Sequence, residues 1–445
     1  MIAADDIIVD LALKPSFLKR SPPMSVHNAA PSVKYPLPVP EPGLKPETVI
    51  ARAAAMRPAL RASQEEDDRR GCHSEEMDRQ FRKAGFYRIL QPKLFGGYEF
   101  DYPTFYRTMI EIARGSPGVS WCLALGATHC SLIASHWPER AQYDLFGASG
   151  EFRAPHRVGA VAGSCARVDG GYVVDGTWNY CSGIPYATHF IGNVLVKDGD
   201  RQQMVIFVMP REKVRVLDDW GGEATLGMRA SGSHSVEIRK VFVPEHLVIP
   251  AKPALWANEP MGDGTPGTKL HGNPMYLGRF IAPYHMSLVM PVVGAARAAL
   301  DEFEDTVAPR PTYHPPIMPR LQHFDTQRPF GYAMTLADSA EALLLTAAET
   351  YMQYYRRWAN DGTPITLEDN VRLYGIVLTA GRLASEAVEL LFHNASSAAA
   401  RRGHRLERYF RDVAMYRSHM SAQYLNIAAG IGRVHFGLPF GWGGL

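Results

Sequence analysis

Long hydrophobic runs, paired cysteines and an excess of either charge are all missing from this 445-residue chain. No uninterrupted apolar run approaches the roughly 18 residues that a bilayer-spanning helix needs. The first ten residues carry Asp5, Asp6 and Asp10 where a secretory signal would want basic residues and then an apolar core. A formal net charge of +2 makes no case for nucleic acid or an anionic membrane as partner. The five cysteines, Cys72, Cys122, Cys130, Cys165 and Cys181, form no C-x-x-C pair and no metal-ligand spacing. An odd count without a signal reads as reduced thiols in a cytoplasmic protein. No G-x-G-x-x-G follows a strand and opens a helix, so the chain carries no nicotinamide fingerprint of its own.

What is present is an ordinary globular composition, 46% hydrophobic and 21% charged. Its length suits about two to four structural units. Residues 1–45 end in a Pro-rich stretch that reads as an extended arm. Residues 46–150 have helical periodicity. Over 151–250 the period switches to two with no interleaved helices, which predicts an antiparallel barrel or sandwich. Residues 251–278 are rich in Gly and Pro and read as a long loop. Helical periodicity returns over 279–438, before a short tail at 439–445. Leu336, Ala340, Leu343, Ala347, Tyr351, Tyr354 and Trp358 mark one bundle face, and Thr366 with Asp369 makes a capping box. The last helix is predicted over roughly Leu406 to Val434. One of its faces is Asp412, Tyr416, His419, Gln423 and Asn426, with no Lys or Glu, which suits either a solvated face or a polar cavity wall.

Two segments point to a planar cofactor. Gly170 to Gly183 reads G-G-Y-V-V-D-G-T-W-N-Y-C-S-G, a hairpin predicted to turn at Asp175-Gly176 and to bring Trp178 and Ser182 together. The Ser182-Gly183 pair offers a small hydroxyl beside a backbone that a flat ligand could approach closely. Cys181 next to it reads as a packed thiol. The second segment is L-G-M-R-A-S-G-S-H-S-V-E-I-R-K-V-F-V-P, Leu226 to Pro244. Together they suggest a flavin site.

Five motifs occur in the order of one family: G-A-T-H (126–129), G-T-W-N-Y-C-S-G (176–183), D-W…L-G-M-R-A-S-G-S-H (219–234), Q-R-P-F-G (327–331) and R-Y-F-R-D-V-x5-H (408–419). The chain resembles, over about residues 46–438, the oxygenase components of two-component flavin-dependent monooxygenases with the acyl-CoA dehydrogenase fold. That group includes p-hydroxyphenylacetate, steroid-catabolic phenol and dibenzothiophene oxygenases. The resemblance implies an α+β protein with an N-terminal helical domain, a central β domain and a C-terminal four-helix bundle. It implies reduced FMN or FAD delivered by a separate NAD(P)H:flavin reductase, O2 as co-substrate, a flavin C4a-hydroperoxide, an aromatic substrate and a homotetramer.

By position in the motifs, Ser182 would contact the flavin ring and His419 would help form or hold the oxygen adduct. His129 would face the substrate as a base, with His136 an alternative holder of that role. Ser164, Trp178, Trp220, Arg229 and Ser233 would contact the flavin. Arg328, Ser396 and Ser397 would reach flavin phosphate, Arg328 across a subunit boundary. Two departures matter. The segment Gln423-Tyr424-Leu425-Asn426 has no glutamate where acyl-CoA dehydrogenases carry their base. Ala414 stands where the oxygenases have the first of two histidines. The alternatives are a flavin dehydrogenase acting on acyl thioesters, or a non-catalytic flavin-binding member of the fold.

Overall fold

The computed structural model describes residues 34–158, 163–198, 201–251, 262–279 and 281–441. Most of the expected N-terminal arm, residues 1–33, therefore lies outside the described residues. Seven helices come first: α1 Pro46–Ala55, α2 Arg57–Arg70, α3 Glu75–Ala84, α4 Tyr102–Gly115, α5 Pro117–Ala127, α6 His129–His136 and α7 Glu139–Phe146. Their ends obey local chemistry. Ser74 caps α3 by accepting from Met77 N at 3.1 Å, and Asp101 caps α4 by accepting from Thr104 N at 2.9 Å. The stretch Pro117–His136, with a mean hydropathy of 1.2, is long and apolar enough to pass for a membrane span. This amends the reading that no apolar run comes near that length. All of it is buried inside the fold, and α5 gives way to α6 at Thr128.

Among the described residues one eight-stranded sheet follows: β1 His156–Arg157, β2 Gly163–Val168, β3 Gly171–Trp178, β4 His189–Asp198, β5 Arg201–Pro210, β6 Arg215–Val216, β7 Val236–Pro244 and β8 Val248–Pro250. It is mixed rather than wholly antiparallel. β1 and β2 both run parallel to β4, while the order β6-β7-β3-β2-β4-β5-β8 is otherwise antiparallel at each described pairing except β2–β4. The hairpin turn is also displaced from the expected place. The chain turns at Asp169-Gly170, between β2 and β3, whereas Asp175 and Gly176 lie within β3. There Gly176 sits at a register shift against β7, a bulge that glycine accommodates.

The segment expected as one long loop contains a helix, α8 Pro266–His271, opened by a Thr265–Thr268 capping box. The bundle is α9 Ile281–Thr306, α10 Phe324–Asp361, α11 Leu367–Asn394, α12 Arg405–Arg417 and α13 Tyr424–His435. The Thr366–Asp369 capping box opens α11 as expected. α9 lies close against α4: a Cβ on Gly294 would come within 2.2 Å of Ala113 Cβ. The single terminal helix predicted over 406–434 is two helices. α12 stops at Arg417 and a short 3-10 turn, Met420–Ala422, intervenes before α13. Neither Gly nor Pro marks the break. Ser418 Oγ turns back onto Ala414 O at 3.1 Å, and the His419 ring accepts from Ser421 N at 3.1 Å. Both are side chain-to-backbone bonds that compete with helix continuation.

Burial holds several histidines uncharged. The rings of His129 and His136 are pushed down to about 4, and those of His156 and His285 to about 3. For such a group the unfolded chain binds the proton first, so its contribution is present above pH 6.5 and is lost as pH falls towards the folded value. Thermal unfolding followed from pH 7.5 to pH 4 should show a midpoint that falls steadily below about pH 6.5, by about 10 °C or more. A midpoint that stays flat across that window would contradict neutral burial of these rings.

Candidate active site

Where the sheet meets α5, α9 and the end of α12, a cavity of about 370 Å³ opens. That is within the range of small-molecule sites. Ser182, just past the end of β3, reaches it. Its Oγ accepts from Trp121 Nε1 at 3.1 Å and pairs with Ser233 Oγ at 2.7 Å, which in turn pairs with Ser231 Oγ at 2.5 Å. A chain of three hydroxyls can be polarised either way. When the protons run from Ser231 through Ser233 to Ser182, the Ser182 proton is left for an acceptor in the cavity. Gly183 is needed for another reason than the one expected. At φ +89° a Cβ there would meet Cys122 O at 2.7 Å, so the space belongs to α5 and not to a ligand. Cys181 is buried, and its thiol donates to Trp178 O at 3.3 Å.

The second motif supplies the adjoining wall. Trp220 and Met228 line the cavity, and Tyr180 packs on Trp220 with ring centroids 5.0 Å apart. Met228 has φ +50°, a left-handed conformation unusual for a non-glycine residue. It is held at both backbone groups: Asp412 Oδ1 accepts its N–H at 2.6 Å, and Trp220 Nε1 donates to its carbonyl at 3.2 Å. Beside it, a Cβ on Gly227 would fall 2.1 Å from Arg411 O, so the loop lies directly on α12.

Tyr416 and His419 complete the cavity from the bundle side. Gly381 in α11 makes room for Tyr416, whose hydroxyl would be 2.3 Å from a Cβ there. Because His419 Nδ1 accepts the Ser421 N–H, the neutral ring carries its proton on Nε2. Burial first, and then the nearby Arg157, lower its pKa to about 4. It meets the edge of Trp121 at 6.2 Å between centroids. Among the described residues, no Asp or Glu lines the cavity.

The family model for the acyl-CoA dehydrogenase C-terminal domain matches residues 286–424. The flavin-dependent monooxygenase oxygenase subunit HsaA of Rhodococcus jostii is 28% identical over 88% of this chain and 98% of its own. The structure of 3-HSA hydroxylase from Rhodococcus sp. RHA1 superposes with a TM-score of 0.78 at 26% identity, covering 88% of this chain and 97% of that one. Over most of its length the chain is thus similar to an oxygenase subunit of a flavin-dependent monooxygenase, and it shares the fold of such proteins. XiaF from Streptomyces sp., solved with FADH2 and glycerol, shares the fold with a TM-score of 0.79 at 23% identity, over 90% of this chain and 98% of its own.

Of the residues given a flavin or catalytic role from sequence, four line the cavity, Ser182, Trp220, Ser233 and His419, and Tyr416 of the polar helix face joins them. Trp178 does not. It is buried in the sheet core among Phe190 and Phe207 and donates to Asn193 O at 3.0 Å, because its strand position points inward. Ser164 is exposed on β2, opposite Asp175. Arg229 turns back onto Thr225 O at 3.0 Å and is not part of the lining. His129 is fully buried behind the wall, with Nδ1 donating to Leu125 O (2.7 Å) and Ala154 O (2.8 Å). On this side of the cavity the lining histidine is His156, whose ring centroid lies 5.5 Å from that of His129 and whose Nε2 donates to Asn193 Oδ1 at 2.8 Å. His136 bonds Gly278 O at 2.7 Å and is also outside the lining.

The expected phosphate ligands stand apart from this cavity. Arg328 is exposed on α10, where it pairs with Asp325 and lies over the Phe324 ring. Ser396 and Ser397 lie where α11 ends, Ser396 at φ +79°. On the exposed polar stripe, Gln423 and Asn426 face outward because the helix breaks before them. Sequence reading missed Trp121, Arg157, Tyr180 and Tyr284, all cavity residues. Trp121 sits in a uniformly apolar helix and Arg157 in a two-residue strand, so neither carried a periodic signal.

Proposed function

We propose that this protein is the oxygenase component of a two-component flavin-dependent monooxygenase that hydroxylates or otherwise oxygenates an aromatic small molecule. The observation that carries the reading is the composition of the cavity wall: a neutral His419 and the Ser182 hydroxyl chain, with no carboxylate among the described residues. Dehydrogenation of an acyl thioester needs a base to take the α-proton, and a wall without a carboxylate offers no glutamate for it. The residues fit a flavin ring: aromatic faces from Trp121, Tyr180 and Trp220, and a few convergent polar groups at Ser182, Ser233 and His419.

Bound reduced flavin, FMN in our preference over FAD, would supply the reaction with O2 through a C4a-hydroperoxide. The chain's own part is to exclude water with its aromatic walls, to hold a proton at Ser182 Oγ, and to present the Nε2–H of His419. A separate NAD(P)H:flavin reductase would deliver the reductant, in keeping with relatives named as oxygenase subunits. Arg328 would reach flavin phosphate only across a subunit boundary. Exposed Tyr313, Ile317 and Phe324 on the same stretch of chain support a homotetramer that covers this face.

Anaerobic reduced FMN and the protein, mixed rapidly with O2, test the reading. A long-lived flavin–oxygen adduct is expected, with a lifetime shortened at least about tenfold in Ser182→Ala. Oxidation of FMN with no adduct, together with turnover of an acyl-CoA, would establish the dehydrogenase instead. Neither signal would leave a non-catalytic flavin-binding protein.

A further inference from the structure

Among the described residues that line the cavity, Arg157 is the one permanently charged group. Its Nε donates to Asn179 O at 2.5 Å and its Nη1 to Val158 O. Those carbonyls fix the plane of the guanidinium but do not neutralise it. Among the described residues no carboxylate pairs with it, although most arginines of this protein that approach the same degree of burial do have such a partner, as Arg88, Arg114 and Arg153 have. The adjoining positions outside the described residues, 159–162, are Gly, Ala, Val and Ala and can supply no negative charge. A half-buried cation without a counter-charge is costly unless a ligand provides one.

Its field reaches every side of the cavity. Burial raises the pKa of Tyr284 on α9 and of Cys181 beyond β3, and lowers that of His419 after α12 and of His156 on β1; at all four the charge of Arg157 acts downward as a lesser cause. The two histidines are already neutral, so they do not share its charge and cannot balance it.

We propose that Arg157 makes this site selective for an anionic planar ligand, whose delocalised negative charge completes the ion pair that the protein leaves open. The proposal rests on the flavin reading above and adds the sign of charge that the site prefers. Two ligands could bring that charge: the reduced flavin ring, which loses a proton near neutral pH where the oxidised ring is uncharged, or a carboxylate or phenolate on the aromatic substrate. The FMN phosphate is common to both oxidation states and cancels in a comparison of the two.

Anaerobic equilibrium titrations of the full chain decide the matter. The first arm compares dissociation constants for reduced and oxidised FMN in wild type, Arg157→Gln and Arg157→Lys. If the flavin brings the charge, wild type and the lysine variant bind the reduced form more tightly, and the glutamine variant loses about tenfold or more of that preference. The second arm compares 4-hydroxyphenylacetate with its neutral analogue 4-hydroxyphenylacetamide as probes. If the substrate brings the charge, the preference for the carboxylate falls by about the same factor in Arg157→Gln while the flavin ratio holds. Should Arg157→Gln fail to fold, Arg157→Lys carries the test, since retained charge must retain the preference. Equal ratios in all three proteins, in both arms, would overturn the proposal. Wild type that binds neither form of FMN would instead overturn the flavin reading, and the carboxylate arm would still judge Arg157.

Discussion

Exchange of His419 for asparagine should lower the rate of substrate oxygenation by about 10²- to 10³-fold, with affinity for reduced flavin changed by no more than about threefold. The choice of residue separates chemistry from folding. The Nδ1 atom of His419 has a structural task, accepting the Ser421 N–H at the start of the 3-10 turn. An asparagine Oδ1 sits near the position of that nitrogen and can keep the bond, so the turn survives. What asparagine lacks is the Nε2–H, the only ring proton left for the cavity. With a pKa lowered to about 4, the wild-type ring is neutral throughout the physiological range. Its contribution is therefore a positioned donor rather than a resident cation, and the rate should show no inflection near pH 6.5 from this group. Glutamine, whose amide extends further, restores a donor near Nε2 and should recover part of the rate. Single-turnover measurement of product formed per reduced flavin reads both variants. An asparagine variant at wild-type rate would remove His419 from the chemistry.

Much of this site was legible in the sequence because it rests on short motifs with local consequences. Ser182, Ser233 and Trp220 sit in segments whose order along the chain matched a family, and all three reach one cavity. The capping boxes, the bundle face through Tyr351 and the switch of period near residue 151 follow from spacing alone. Other features depend on what a segment packs against. The Asp175-Gly176 pair has the chemistry of a tight turn, yet pairing with β7 draws it into a strand as a bulge. His129 reads as a base next to an apolar helix. Two backbone carbonyls claim its Nδ1, and the fold puts His156 between it and the cavity wall. Trp178 alternates correctly with its neighbours, but the face on which it lies is the sheet core. Arg157 had no pattern to announce it. Its importance comes only from the charge that is missing around it in three dimensions.

The clamp on Met228 gives the second large effect. Asp412→Ala should destabilise the protein by about 2 to 3 kcal/mol and enlarge or collapse the cavity wall, since it leaves the N–H of a left-handed residue without its acceptor. Met228→Gly gives up a buried side chain in either background, but it should cost about 1 kcal/mol less in Asp412→Ala than in the wild type, because glycine adopts φ +50° without the Cβ penalty that the aspartate otherwise helps to hold. Simple additivity of the two changes would contradict the clamp. Asp412→Asn isolates the hydrogen bond from the charge. Burial, and then the nearby Asp68, push the Asp412 carboxyl up from its ordinary value, against the pull of Arg411 and Arg408. A carboxyl raised in this way contributes stability that is fully present below its unfolded pKa and is lost as pH rises through the folded value. The asparagine keeps an acceptor for Met228 and has no ionisation to lose, so it should gain on the wild type as pH rises towards neutrality. Denaturant unfolding of the two proteins in parallel between pH 5 and pH 8 measures that difference free of the histidines, which titrate alike in both. The same geometry links the bundle to the cavity wall: α12 carries Asp412 in its second half and leads, two residues past its end, to His419, so a change that loosens Met228 should also disturb the position of His419 and lower coupling of reduced flavin to product.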